Sequence, residues 1–388
     1  MRQTDLGGMT CKLLVGLTEH GATGSTRTFA VALHDSDPEF DGELLEAVAK
    51  EEGGERLREM VLESLSRALE EDDGDRRRAD EEQASEAAVA GGGHGGAGDP
   101  FEGVLETAEG VGADELALQY GDAMTELVHT QVEALSPGHY FDSRREGSIL
   151  RQPRKVANEV MRNLPRTLPN PPHPNSAVFA VFEEDALNFS RFVISGPVGT
   201  PYENGLFVFD VFLPANYPTD PPLVQMVTTG QGTVKFNANL YPDGKVCLSV
   251  LGKDSGASAG SGDKWNPETS SLWQVFVSIQ TMVLTKDPYY NEGGGRSNMR
   301  GRGTAETEEA SAHENARVTL ETIRHAAVAN LRHPPKGCEE LIRYHFRALR
   351  NRILLRCKKA VEQAPDERLK RATLRASAEL RAEIDKLS

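Results

Sequence analysis

In FNANLYPDGKVCLSVLG, residues 236–252, a lone cysteine, Cys247, stands at the exit of a polar Pro-Asp-Gly turn, eight residues after Asn239. A thiol buried among apolar side chains is inert, whereas a thiolate in polar surroundings is a nucleophile, so the neighbours decide its chemistry. A cysteine hydrolase requires an imidazole base. The histidines are His20, His34, His94, His129, His139, His173, His313, His325, His333 and His345, so none lies between residues 174 and 312. A histidine from outside that stretch would have to reach in, because no local dyad exists. A metal site requires further cysteine or histidine ligands nearby, and the sequence places none there. A carrier thiol accepts an acyl group from another thioester and needs no resident base, which fits a cysteine in polar surroundings without a histidine. Against all three stands the plain reading of a small core residue.

Several elements must hold this turn in place. SAVFAVF (176–182), SRFVISG (190–196), GLFVFDVFL (205–213) and PPLVQMVTT (221–229) are β-rich runs separated by Asn, Asp, Gly and Pro. Their short, regular spacing predicts a four-stranded antiparallel meander. After the cysteine, SSLWQVFVSIQTMVLT (270–285) predicts a helix with an apolar stripe of Leu272, Val275, Phe276, Ile279, Met282 and Val283. Its N-cap is expected among the hydroxyls of Thr269 to Ser271. Two helices are expected near 112–135 and 150–164. Beyond a glycine-rich stretch (293–303), three more are expected at 305–331, 337–364 and 366–387. The stripe Leu341, Ile342, Phe346, Leu349, Ile353, Cys357 and Val361 puts Cys357 on a buried face, with Cys338 near the helix start. Such a stripe needs a partner, either the preceding domain or a second copy of the chain.

The N-terminal part has a different texture. CKLLVGL and TRTFAVAL (11–17 and 26–33) predict a hairpin, and residues 43–71 carry apolar residues at helical intervals interrupted by Gly53-Gly54. Residues 71–111, acidic and then glycine-rich, cannot bury a core and are expected as a disordered linker. The expected organisation is therefore a small α/β or helical segment (1–70), the linker (71–111), a helical segment (112–145), the core around Cys247 (146–295) and a C-terminal helical extension (296–388).

Charge is unevenly placed within the net −16: residues 41–90 carry 17 acidic against 7 basic residues, and residues 336–388 carry 14 basic against 8 acidic. The basic end alternates signs at helical spacing, which reads as a solvated helix face, without the aromatic interleaving or glycine-rich basic loops of nucleic-acid binding. The four cysteines form no CxxC pair and no framework of short spacings, which argues against a zinc site or a disulfide scaffold and for a reducing compartment. No stretch has the apolar length of a membrane span and the N-terminus lacks a cleavage pattern, so a cytoplasmic or nuclear location is expected.

Read together, the segments around Cys247 resemble the ubiquitin-conjugating enzymes. GPVGTPYENGLFVFDVFLPANYPTDPPLV (196–224) is similar to that family's Gly-Pro, Thr-Pro-Tyr-Glu-x-Gly and Tyr-Pro-x-x-Pro-Pro signatures. FNANLYPDGKVCLSVL is similar to its active-site segment, and KWNPETSSLWQVFVSIQTMV (264–283) to its Trp-x-Pro segment and following helix. DPYYNEGG (287–294) resembles the ending of a subset of large members. Within the family the resemblance is greatest to the conjugating domain of the giant inhibitor-of-apoptosis proteins and other large members. It covers about residues 150–295, and ELIRYHFRALRNRILLRC (340–357) is loosely similar to their C-terminal continuation.

The resemblance implies an α+β conjugating domain: an N-terminal helix, a four-stranded antiparallel meander, the active-site segment and a following helix, with helical extensions on both sides. It implies that Cys247 carries ubiquitin or a ubiquitin-like protein as a thioester and passes it to a substrate lysine. It implies no cofactor, and as partners the modifier, an activating enzyme, a ubiquitin ligase and substrate proteins. A homodimer through the C-terminal helices is one way to cover their stripe. Asn239 occupies the asparagine of the family's His-Pro-Asn triplet, where its amide either donates to the oxyanion or braces the loop. Asn237-Ala238 stand where His-Pro is usual, and the alanine removes a φ constraint. Glu292 matches the acid beside the incoming lysine, with an ordinary solvated glutamate as the other reading. The Gly/Ser-rich LGKDSGASAGSGDK (251–264) reads as an insertion that either tunes access to the thioester or drifts in a tolerant loop. The alternative function is a non-catalytic ubiquitin-binding or scaffold variant of the same fold. Such binding variants lack the cysteine, so Cys247 with Asn239 argues against that half of it.

Overall fold

Of the 388 residues, the computed structural model describes 11–20, 26–34, 100–101, 113–252, 264–291 and 303–387. The expected helices over 43–71, the linker apart from Pro100 and Phe101, the insertion 253–263, Glu292 and the glycine-rich stretch 293–302 lie outside the described residues. The chain folds as two units, Met1–Gly96 and Ala97–Ser388. In the first, β1 (Cys11–His20) pairs antiparallel with β2 (Thr26–His34) as the expected hairpin.

The second unit is built on the predicted meander. β4 (Val178–Glu183), β5 (Phe189–Ser195), β6 (Leu206–Phe212) and β7 (Leu223–Met226) pair antiparallel in sequence order. A fifth strand, β3 (His129–Val132), lies parallel to β4 and makes the sheet mixed. It corrects the expected helix over 112–135. That segment is α1 (Ala113–Met124), a 3-10 turn (Thr125–Leu127) and then β3. Four residues are too few to display a period-2 pattern, and only the free edge of β4, far along the chain, makes them a strand.

Side chains alternate across the sheet. On the inner face, Phe192 stacks on Phe276 with ring centroids 3.8 Å apart, seating α3 (Leu272–Ser278), which continues as a π turn over Ile279–Val283. Ser271 caps this helix in a capping box with Gln274, within the expected trio of hydroxyls. Met282, expected in its buried stripe, is instead 65% exposed. The π turn adds a residue to the last turn and rotates Met282 off the face that Ile279 and Val283 still bury. Between β3 and β4 in the chain, α2 (Pro153–Asn158) runs through a π turn (Glu159–Asn163) into Leu164–Thr167.

The outer face is covered too, so β4, β5 and β6 are buried at every position. The cover comes from the residues after β3 and from the C-terminal helices. Gly337 approaches Val181 and Leu135 so closely that a Cβ would sit 3.2 Å from either side chain. Asn330 donates from Nδ2 to the Leu206 carbonyl at 2.7 Å. Beneath this layer Arg191 and Asp210, opposite each other on β5 and β6, form an ion pair (Nε to Oδ1 2.6 Å) at 1% and 0% side-chain exposure. Their remaining bonds reach the cover: Arg191 donates to the carbonyls of Lys336 and Gly138, and Asp210 accepts from the Tyr140 amide.

The C-terminal helices are α4 (Ala305–Glu321, continued through a π turn, Thr322–Val328, into Ala329–Arg332), α5 (Glu339–Ala348), α6 (Arg350–Glu362) and α7 (Glu367–Asp385). The helix expected over 337–364 is two helices with a break at Leu349. The whole stripe from Leu341 to Val361 is buried, and its members from Leu341 to Cys357 belong to the same core as the sheet, so the chain itself covers it. His345 is held there between the Tyr120 hydroxyl (2.9 Å) and the Asn204 carbonyl (3.1 Å). Burial pushes its pKa down to about 4.

Candidate active site

The segment 236–252 leaves the sheet as a small hairpin. Phe236 is fully buried, and its carbonyl accepts from the Tyr202 hydroxyl at 2.8 Å, which fixes the entry. At the tip, Gly244 adopts φ +83°, and a Cβ there would stand 2.4 Å from the Met226 carbonyl oxygen, so the turn needs glycine. The Met226 amide donates to the Gly244 carbonyl at 2.8 Å, tying the tip to β7. Leu240 and Val246 bridge the two arms, both side chains buried. This register sets Asn239 against Cys247. The Cys247 amide donates to the Asn239 carbonyl at 2.9 Å, and Asn239 Nδ2 donates to the Cys247 carbonyl at 2.7 Å.

Cys247 is exposed. Among the described thiols, Cys338 and Cys357 are buried, and burial pushes their pKa values up to about 12 and about 11. Those two remain protonated at neutral pH, so the accessible nucleophile of the three is Cys247. The histidines with assigned partners are engaged elsewhere: His129 with Val160, His139 with Ser190, His173 with Asn175, His313 with Asp366, His325 with Glu321 and His345 with Tyr120 and Asn204. An acyl-carrying thiol needs no such base.

Asn237 is the residue here whose role the sequence did not reveal. It is buried, and its Oδ1 accepts from the Asn239 amide at 2.9 Å in an Asx turn. Its Nδ2 donates to the Tyr202 hydroxyl (3.2 Å) and to the Val283 carbonyl (3.0 Å) at the end of the α3 extension. This side chain supplies the rigidity that Ala238, lacking a proline ring, does not. The only signal in the sequence was an asparagine in the first place of the triplet.

Asn291 converges on the same helix end. Its Nδ2 lies 3.2 Å from the Met282 carbonyl, 3.4 Å from that of Val283 and 3.2 Å from the Thr285 hydroxyl. The hairpin and the DPYYN segment are therefore anchored to one structure, and Glu292 follows directly in sequence outside the described residues.

An open groove runs from Leu248 and Val250 past Trp265 to Gln274 and Met282. Trp265 at its floor donates from Nε1 to the Pro218 carbonyl at 2.7 Å. Beside it Tyr217 is buried and donates to Glu159 at 2.6 Å, while the other oxygen of Glu159 accepts from the Leu272 amide at 2.9 Å. One carboxylate thus joins α2, the turn before β7 and the start of α3.

Residues 159–300 match the family model described as ubiquitin-conjugating enzyme. Over 224 residues the chain is 39% identical to the human "Dual E2 ubiquitin-conjugating enzyme/E3 ubiquitin-protein ligase BIRC6", covering 55% of this chain and 4% of that protein. It is 35% identical over 225 residues to "Probable ubiquitin-conjugating enzyme E2 R521" of Acanthamoeba polyphaga mimivirus (58% and 15%). To "Probable ubiquitin-conjugating enzyme protein 17" of Caenorhabditis elegans it is 41% identical over 184 residues (47% and 24%). The chain spans a quarter or less of the length of these three relatives.

Proposed function

We propose, from the match of residues 159–300 to the ubiquitin-conjugating enzyme family model, that this chain accepts ubiquitin or a ubiquitin-like protein on Cys247 and transfers it to a lysine. One observation carries this reading beyond the family match: of the described thiols, the exposed one sits on a braced polar hairpin, opposite an asparagine amide.

The chemistry is two acyl transfers. The Cys247 thiolate attacks the modifier's thioester on the activating enzyme; the new C–S bond forms at Cys247 and the activating enzyme's thiolate leaves. A neutral lysine amine then attacks the same carbonyl, the Cys247 thiolate departs, and the amine proton passes to solvent or to a nearby base. Thiolate is a good leaving group, so the second step requires chiefly a neutral amine and a stabilised oxyanion. Asn239 supplies the amide next to Cys247, and Glu292 is the candidate to orient the amine. ATP is consumed by the activating enzyme. A ubiquitin ligase and protein substrates complete the expected partners.

The test is incubation of the full chain with activating enzyme, ATP and a panel of modifiers. A thiol-sensitive adduct on the wild type is expected, with Cys247→Ala forming none and Cys247→Ser forming a thiol-resistant oxyester. Cys338→Ser and Cys357→Ser should still charge. An adduct that survives Cys247→Ala would sink the assignment, and no adduct with any modifier would remove the function.

A further inference from the structure

We infer that Arg317, on the helix that follows the family-matched region, is a positioning residue for transfer from Cys247, acting through the backbone that enters the active-site hairpin. The inference rests on the function proposed above.

Arg317 lies on α4, beyond residue 300 where the family match ends. Its Nη2 donates to the Lys235 carbonyl at 2.8 Å. Glu314, one turn earlier on the same helix, holds the guanidinium by Nε (2.9 Å) and Nη2 (2.7 Å). A planar fork gripped at one side by a carboxylate points its remaining donors in a fixed direction, which a flexible ammonium does not do alone. Here that direction is the carbonyl just before Phe236.

From Lys235 the chain of contacts is short. Phe236 is held by Tyr202, Asn237 by Tyr202 and Val283, Asn239 by Asn237, and Cys247 by Asn239. Arg317 closes this series at its upstream end. The same helix grips the downstream side: Asn315 Nδ2 lies 3.5 Å from Asp287 Oδ1, and the Tyr290 hydroxyl 3.5 Å from the Thr307 carbonyl. At Gly230, on the approach to Lys235, a Cβ would stand 3.0 Å from the ring of His325, so the helix and this strand-to-hairpin segment meet with no space between them.

The Arg317 side chain is a third exposed (33%), so its ion pair with Glu314 adds little to global stability. What it fixes is the position of one carbonyl, two residues before Asn237. Removing the donor lets that backbone shift, and the shift reaches the reacting carbonyl through Asn237 and Asn239. Charging by an activating enzyme, with a partner to hold the thioester in place, tolerates such slack better than attack by a free amine.

The experiment measures single-turnover discharge of the Cys247 thioester to free lysine, over a range of lysine concentrations, in the full chain. Arg317→Ala is expected to charge normally and to discharge about tenfold more slowly at saturating lysine, below the ~10²-fold that a 1 Å misplacement can cost. The lysine concentration giving half the maximal rate should not move. Arg317→Lys should recover part of the rate, because an ammonium can still donate to the Lys235 carbonyl but is not held in direction by Glu314. Backbone amide exchange should quicken at 236–240 in the alanine variant and stay unchanged in the β4–β6 core. Wild-type discharge in Arg317→Ala, or equal losses in the alanine and lysine variants, would overturn the inference. Should the alanine variant fail to fold, Arg317→Gln, with one weaker donor, is read against Arg317→Lys in the same way. If the wild type accepts no modifier, the proposed function fails; the exchange measurement then still decides whether Arg317 positions this segment.

Discussion

Beneath the layer over the outer face of the sheet, Arg191 and Asp210 are removed from water, and their hydrogen bonds go to each other, to Lys336, to Gly138 and to Tyr140. In the hairpin 236–252, Asn239 is half-buried, Cys247 is exposed, and the buried polar work is done by Asn237 behind them. The cysteines repeat the contrast, since Cys338 and Cys357 lie in the covered region with their pKa values pushed up. A buried charge must be paired, because its desolvation is not otherwise offset, and that pairing ties the covering layers into one arrangement. Under the proposed function the Cys247 thiol meets another protein's thioester and must stay at the surface, so its rigidity has to come from side chains one layer below. Substitutions in the first region should therefore move stability, and substitutions in the second should move rate.

The largest stability effect is expected at the ion pair. Asp210→Ala leaves Arg191 buried without its carboxylate and should cost about 3–5 kcal/mol, read by denaturant unfolding. Replacing both partners with apolar residues, Arg191→Met with Asp210→Leu, should recover most of that loss. A single variant as stable as the wild type would break the contrast at once.

Acid should open the same region next. Burial, with the nearby Arg352 charge as a smaller cause, holds His345 neutral at a pKa pushed down to about 4, against an ordinary 6.5. As pH falls, the unfolded chain takes up this proton first. The contribution is thus intact above pH 6.5 and declines between 6.5 and 4, by about 3 kcal/mol over the whole interval. His345→Gln should flatten this part of the stability–pH curve, and an unaltered slope would remove His345 as its cause.

In the hairpin, Asn239→Ala sharpens the comparison. The amide braces the Cys247 carbonyl in the resting hairpin. If it also serves the oxyanion, charging persists and discharge to lysine slows by about 10²-fold. A purely bracing amide would lower charging, discharge and melting temperature together. Because Asn237 holds the backbone independently, the first outcome is expected. Single-turnover rates with thermal unfolding of the same variant separate them.

The elements whose signal is local were legible in the sequence: the meander, the helix after the active site with its Ser271 cap, and the buried stripe with Cys357. Cys247 stood out as the candidate thiol, because a turn of Pro-Asp-Gly and a motif-rich neighbourhood mark it out, and the fold leaves it exposed. What escaped was non-local. β3 is a strand only because β4 offers an edge. The burial of Arg191 depends on Gly138 and Lys336 arriving from both flanks of the domain. Met282 left its stripe because of a π turn that periodicity does not encode. Asn237, Tyr202 and Arg317 look like ordinary polar residues until the fold gathers them behind the hairpin.

The smallest effect is expected beside the active site itself, at the insertion. Its ends are already together: the Trp265 amide donates to the Gly252 carbonyl at 3.2 Å, and Trp265 is anchored to Pro218. Residues 253–263 therefore close a loop whose base is fixed by other contacts. Closure entropy changes by only about 0.6 kcal/mol for each doubling or halving of such a loop, so replacing 253–263 with four or five glycines should raise stability by less than about 1 kcal/mol. The base also lies at the groove that starts beyond Cys247, so the same variant separates the insertion's two readings. Unchanged charging and discharge would mark it as tolerated sequence, whereas an altered rate at unaltered stability would make it a determinant of access to the thioester. Unfolding of the variant would show that the insertion contributes packing that the fixed base does not replace.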